Sequence, residues 1–225
     1  MKRKALILAA GENLETSDVL PKLLLKHPLS KKTILDKFEE FYLGNTHYVI
    51  GFRALSILNE YPKINCTIND LWALTKSTYS LSLALSSYSE NDILDIYPGD
   101  VIIEDQFFEK ILENNSNKLI VISDREKRGK NSLNLEFEGG KIKSSYSGLI
   151  RSPNDPEAIG ILRCSVKDLK KWIMIKQKLI KNLFVSELIP NEELSSFQMI
   201  SENGLVYEIN TAFDYYRLMK FLKNS

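Results

Sequence analysis

Soft metal ligands are scarce in this chain. Its 225 residues include two cysteines, Cys66 and Cys164, and two histidines, His27 and His47. There is no CxxC pair, so a zinc site is excluded, and free thiols in a reducing cytosol are the expectation. A net field of one sign is also missing. Thirty basic residues face twenty-nine acidic ones, a formal charge of +1. That balance excludes the electrostatic footprint of a nucleic-acid or membrane-surface binder. No stretch approaches the roughly 18 apolar residues of a membrane span. The basic start MKRK leads into an apolar run, Ala5–Ala10, that is too short for a secretory h-region and meets acidic residues at once. It reads as a first β-strand of a cytoplasmic protein.

What remains is a folded composition, 44% hydrophobic and 26% charged. Strand and helix patterns alternate along it. Lys4–Ala10 is a continuous apolar run, as in a strand buried on both faces. Ser30–Leu43 carries Ile34, Leu35, Phe38, Phe41 and Tyr42 at helical spacing, with Ser30 as the expected N-cap and Gly44-Asn45 as the stop. Tyr48–Phe52, Lys63–Ile68, Ile93–Tyr97 and Leu119–Ser123 read as strands. Arg53–Glu60, Ser77–Ser87 and Asp105–Glu113 read as the helices between them.

Repeated β–α units predict an α/β, Rossmann-like, mostly parallel sheet flanked by helices. Beyond Asp124 the character changes. Leu133–Phe137 and Lys141–Tyr146 read as a hairpin around Gly139-Gly140, Ala158–Arg163 as a strand, and Val166–Leu179 as an amphipathic helix. Leu205–Ile209 and Ala212–Leu222 read as a last strand and a closing helix. The expected organisation is one domain, with 1–123 as a nucleotide-binding half and 124–225 as a small β-rich, substrate-side and closing half.

In such sheets ligands bind beyond the carboxyl ends of the strands. Two loops fall there. The first is LAAGENLETSDVLPK at 8–22, where small residues let a ligand approach the backbone and Pro21 fixes the φ before Lys22. The second is Pro98-Gly99-Asp100, which ends an apolar strand with a carboxylate suited to Mg²⁺. Glu208 and Asn210 lie two apart on the late strand and so share a face.

ALILAAG at Ala5–Gly11, Pro21-Lys22, YVIGFR at Tyr48–Arg53, YPGD at Tyr97–Asp100, AIGILRC at Ala158–Cys164 and VYEINTAFDYYR at Val206–Arg217 follow one another in an order that resembles the sugar-phosphate nucleotidyltransferase superfamily. NDLWALTKSTYSL at Asn69–Leu81 is similar to the branch that activates phosphocholine or aminoethylphosphonate with CTP.

The resemblance covers almost the whole chain and implies the nucleotide-diphospho-sugar transferase type of fold. It implies transfer of a nucleoside monophosphate, with CTP favoured, to a small phosphorylated substrate, with release of pyrophosphate. It also implies Lys22 and Asp100 as catalytic residues, and Leu8, Ala9, Ala10, Gly11 and Lys22 as the nucleotide grip. Trp72, Thr75, Tyr79, Ser80, Tyr97 and Glu208 are then on the substrate side, and Asp100, Glu208 and Asn210 are ligands for Mg²⁺. A homodimer is one assembly compatible with it.

Three departures stand out. Asn210 occupies an aspartate position of the family pattern, and Lys76 an asparagine position. The loop after Gly11 has Asn13, Leu14 and Glu15 where the family carries a second glycine, a hydroxyl residue and an arginine. Glu12 and Glu15 would face a polyanion, at a cost on the order of 1 to 4 kcal/mol for each close like-charge pair. The departures make a catalytically impaired relative, one that binds a nucleotide or a partner protein, the first alternative. The basic segment Arg125–Lys130 reads as a solvated loop that also suits closure over phosphates. A nucleotide-sugar-dependent glycosyltransferase ranks last, because no Asp-x-Asp follows Tyr97.

Overall fold

The computed structural model of the chain describes residues 3–12, 20–123 and 132–223. The expectations placed on Asn13, Leu14, Glu15 and Arg125–Lys130 lie outside the described residues.

Strand β1 (Lys4–Ala9) leads to a short 3-10 turn at Lys22–Leu24 and helix α1 (Ile34–Tyr42). Next come β2 (Thr46–Ile50), α2 (Ala54–Glu60), β3 (Cys66–Ile68), a 3-10 turn at Trp72–Leu74, and α3 (Ser77–Ala84). Strands β4 (Ile93–Pro98) and β5 (Val101–Ile103), helix α4 (Asp105–Glu113) and strand β6 (Leu119–Ser123) follow. The hairpin is β7 (Leu133–Glu138) with β8 (Lys141–Ser147), then β9 (Glu157–Ser165) and α5 (Val166–Ile175). The chain closes through 3-10 turns at Ile180–Asn182 and Val185–Leu188, then α6 (Asn191–Leu194), β10 (Gln198–Ser201), β11 (Val206–Glu208) and α7 (Ala212–Lys223). No helix among the described residues is long and apolar enough to cross a membrane.

The main sheet runs β10-β6-β9-β4-β1-β2-β3, with the β7–β8 hairpin attached to β9. Strands β4, β1, β2 and β3 are mutually parallel, and β10 is parallel to β6. Strand β9 runs antiparallel between β4 and β6. The architecture is the expected α/β type, mostly parallel, and its sheet interleaves strands from both sides of residue 123. Period-2 alternation splits the core into two layers. Ala5, Ile7 and Tyr97 pack with Leu35, Phe38 and Phe108 on one face. Leu6, Leu94 and Ile96 pack with Leu81, Leu169 and Trp172 on the other.

Helix α1 starts three residues later than its sequence pattern suggests. Thr33, not Ser30, is the N-cap. The Thr33 hydroxyl accepts from the Asp36 amide at 3.0 Å and Asp36 Oδ2 accepts from the Thr33 amide at 2.9 Å, a full capping box. Ser30 is engaged elsewhere: its amide, with that of Leu29, donates to His27 Nδ1. That pattern makes Nδ1 the acceptor, so Nε2 carries the proton and donates to Glu104 at 3.2 Å.

Arg163 on β9 is fully buried and ties the sheet to the end of α4. It forms a bidentate pair with Asp95, Nε to Oδ1 and Nη2 to Oδ2. Its remaining protons go to the carbonyls of Ile111 at 2.8 Å, Asn114 at 2.6 Å and Ser116 at 3.2 Å. A guanidinium satisfies so many acceptors in one plane where an ammonium does not. Asp95 Oδ2 also accepts the Tyr42 hydroxyl at 2.9 Å, which meets the Tyr97 hydroxyl at 2.6 Å. Burial first, and then the Asp95 charge, pushes the Tyr97 phenol far above its ordinary range. Tyr97 therefore stays neutral and structural.

Candidate active site

Two glycines bring the strand ends together. A Cβ on Gly99 would stand 2.3 Å from Ala9 Cβ and 2.6 Å from Ala9 Cα. Only a glycine lets the end of β4 lie directly on the end of β1, and the Gly99 amide donates to the Leu8 carbonyl at 2.9 Å. A Cβ on Gly51 would stand 2.7 Å from Trp72 Cβ and 2.8 Å from the carbonyls of Ala10 and Asn69. The missing side chain there lets the 69–80 segment close against Ala10.

These approaches frame an open cavity of about 630 Å³ at the carboxyl ends of β1 and β4. Its walls include Leu8, Ala9, Ala10, Gly11 and Glu12 from the first strand and loop, and Pro98, Gly99 and Asp100 from the second. Asn69, Trp72, Thr75, Lys76, Ser77 and Ser80 also line it, with 184–187 packed beside them, as do Glu157, Ile159 and Gly160. Glu208 and Asn210 complete it. A cavity of this size suits a small-molecule ligand.

Lys22 and Asp100 meet inside it. Lys22 Nζ donates to Asp100 Oδ2 at 2.7 Å, with the two side chains 16% and 20% exposed. Lys22 reaches this point from the first residue of a 3-10 turn whose entry is set by Pro21 at φ −56°. Asp100 is fixed through its backbone, because its carbonyl accepts from the Ile209 amide at 2.8 Å. That bond and the antiparallel pair β5–β11, with Glu208 opposite Val101, seat Glu208 and Asn210 beside Asp100.

Among the described residues, the other Asp100 oxygen, Oδ1, is buried with no hydrogen-bond partner. A buried, unpaired carboxylate oxygen is costly unless a ligand completes it. The oxygen donors Asp100, Glu208 and Asn210 fit Mg²⁺, which takes one or two carboxylates and fills its shell with phosphates and water. Among the described residues no group of three or more His, Cys, Asp or Glu is placed to hold a metal by itself. Such a site therefore depends on ligand phosphates.

The 69–80 segment is organised by Asn69, which is fully buried. Its amide nitrogen donates to Thr75 Oγ1 and Ser80 Oγ, each at 3.0 Å, and its carbonyl oxygen accepts from the Leu71 amide at 3.0 Å. Trp72 is half-buried and meets Phe52 edge-on, with centroids 5.2 Å apart.

Of the residues singled out from the sequence, Leu8, Ala9, Ala10, Gly11, Lys22, Trp72, Thr75, Ser80, Asp100, Glu208 and Asn210 line this one cavity. Two do not. Tyr97 was expected on the substrate side, but it is wholly buried and faces Phe38 and Tyr42. Its neighbour Pro98 is the cavity residue, because successive strand residues point to opposite faces. Tyr79 sits one position before Ser80 on α3 and so is turned about 100° away. Its ring lies 5.6 Å from Lys181 Nζ instead.

Sequence reasoning missed the wall at 184–187. It has no helical or strand periodicity, and its only local signal is Glu187 capping the Phe184 amide at 2.7 Å. The segment joins the cavity through α3: the Thr78 amide donates to the Leu183 carbonyl at 3.1 Å and the Val185 amide to Ser77 Oγ at 3.1 Å.

No protein-family model matches the chain, and neither does any curated protein sequence. Solved structures do. The CTP:phosphocholine cytidylyltransferase LicC of Streptococcus pneumoniae superposes with a TM-score of 0.77 at 18% identity, covering 99% of this chain and 100% of that one. A putative glucose-1-phosphate thymidylyltransferase of Bacillus anthracis gives 0.74 at 14% identity, over 99% and 96% of the two chains. The inositol-1-phosphate CTP transferase of T. maritima gives 0.68 at 16% identity, over 99% and 97%. The architecture that the sequence motifs resemble is thus the one present, end to end: the chain has the fold of the sugar-phosphate nucleotidyltransferases.

Proposed function

We propose that this cavity transfers a nucleoside monophosphate, with CTP as the favoured donor, to a small phosphate- or phosphonate-bearing acceptor such as phosphocholine or a sugar phosphate. The observation that carries the reading is the Lys22–Asp100 pair, with Asp100 Oδ1 left open, at the strand ends of a nucleotidyltransferase fold.

A phosphate oxygen of the acceptor attacks the α-phosphorus of the triphosphate in line. A new phosphoanhydride P–O bond forms, the bond from the α-phosphorus to the bridging oxygen breaks, and pyrophosphate leaves with the electron pair. Little covalent help is needed, so positioning and charge dominate. Lys22 is a point charge for the phosphates, released from Asp100 or shared with it. Asp100, Glu208 and Asn210 would hold Mg²⁺, which when bound neutralises charge on the phosphates. The small residues Ala9, Ala10 and Gly11 let the nucleotide approach the backbone, and Asn69 keeps Thr75 and Ser80 in place beside it. Cys66 and Cys164 are free thiols, in keeping with a reducing cytosol.

One observation favours a second reading, a relative that binds nucleotide without turnover. Glu12 lines the cavity where the triphosphate would lie, and like charge there weakens the grip.

Pyrophosphate release separates the two. Purified protein with Mg²⁺ is given CTP, UTP, GTP, ATP or dTTP, each with phosphocholine, aminoethylphosphonate or a sugar 1-phosphate. The proposal expects acceptor-dependent release, greatest with CTP. No release from any pair, alongside nucleotide binding in a thermal-shift assay, assigns the chain to the second reading.

A further inference from the structure

The cavity contains a second cation that the proposed chemistry leaves unused. Lys22 and Lys76 are the basic residues among its described lining. The Lys22 ammonium is paired with Asp100 at 2.7 Å. The Lys76 ammonium has no carboxylate partner among the described residues, and lies 4.2 Å from the centroid of the Phe184 ring.

This arrangement is held from both sides. The Lys76 amide donates to the Lys181 carbonyl at 2.8 Å. Phe184 is anchored by the Glu187 carboxylate on its own amide at 2.7 Å, and the next amide, Val185, donates to Ser77 Oγ at 3.1 Å. An ammonium on a ring face is attracted by the ring quadrupole and repels any second cation from that face. That face of Phe184 is therefore closed to a quaternary ammonium, and the ring steadies a lysine that is ready for an anion.

We infer that Lys76 binds an anionic group of the ligand in this cavity, and so supplies from the residue that precedes α3 a positive charge that the sequence lacks between Gly11 and Pro21. The inference rests on the reading that the cavity takes a nucleotide and a phosphorylated acceptor. The anion is a nucleotide phosphate, the acceptor phosphate, or a second acid on the acceptor.

Calorimetric titration with CTP and Mg²⁺, with phosphoserine, and with phosphocholine compares the wild-type protein with Lys76→Met and Lys76→Arg. A lost charge-assisted contact at a cavity rim should weaken binding by roughly three- to tenfold. Lys76→Arg should restore most of the loss, and both variants should melt with the wild type because Lys76 is exposed. Weakening confined to CTP identifies a nucleotide phosphate. Weakening of both phosphomonoesters identifies the acceptor phosphate, and weakening of phosphoserine alone its carboxylate. Binding of every probe unchanged within about twofold in Lys76→Met overturns the inference. A wild-type protein that binds none of the three overturns the reading of the cavity itself, a distinct failure.

Discussion

Asp100→Asn is expected to slow nucleotidyl transfer by roughly 100- to 1,000-fold, the scale on which one preorganised electrostatic group at a phosphate or oxyanion site acts. The substitution keeps the shape and an acceptor oxygen for Lys22 Nζ, now 2.7 Å from Oδ2. It removes the carboxylate charge, including that on Oδ1, which is buried and unpartnered among the described residues. Relief at the unpartnered Oδ1 offsets part of the lost Lys22 ion pair, so the melting temperature should fall by less than in a fully buried pair broken from one side. Initial rates of pyrophosphate release and a thermal melt of the same preparation check both halves. A variant that retains wild-type rate would show that Asp100 is only the cap of a tight turn.

Arg163→Met should be the most damaging single change to the fold. It strands Asp95, 2% exposed, without its counter-ion, and leaves the Ile111, Asn114 and Ser116 carbonyls without their donors. Breaking a buried pair from one side costs about 3–5 kcal/mol. For a chain of this length that is a fall of roughly 6–20 °C in melting temperature. Adding Asp95→Leu should recover part of the loss, since the uncompensated charge is then gone too. A double-mutant cycle by thermal or urea denaturation measures the coupling. Strict additivity of the two losses would show that the pair does not act as a unit.

The sheet and the cavity floor were legible because their signals are local and strong. The apolar run after MKRK, helix Asp105–Glu113 and strand Leu119–Ser123 have clear ends, and the structure keeps them nearly to the residue. Strands β5 and β10 were not legible. Val101–Ile103 is three residues hidden behind a turn, and Gln198–Ser201 has a polar start that resembles a loop. Ser30 looked like a cap because nothing local reveals that His27 takes its amide.

In the cavity, the small residues of β1, Pro21-Lys22 and Asp100 carried their own signal, since Gly and Pro punctuate the chain where ligands approach. Tyr97 and Tyr79 misled for the same geometric reason. Each is adjacent in sequence to a lining residue, Pro98 or Ser80, and adjacency in a strand or helix puts the side chain on another face. Phe184 and its lysine were invisible because the contact spans more than a hundred residues and depends on hydrogen bonds between two irregular segments.

The central claim is that the α-phosphate of a nucleotide is passed to a phosphorylated acceptor in the Lys22–Asp100 cavity. Transfer of radiolabel tests it most directly. CTP labelled at the α-phosphate is incubated with protein, Mg²⁺ and each acceptor in turn, and a parallel reaction uses CTP labelled at the γ-phosphate. The account predicts that the α-label appears in a new acceptor-linked phosphoanhydride while the γ-label leaves as pyrophosphate, with both processes slowed roughly 100- to 1,000-fold in Asp100→Asn. Label that stays in CTP with every acceptor, or α-label that appears only as free CMP, would contradict it.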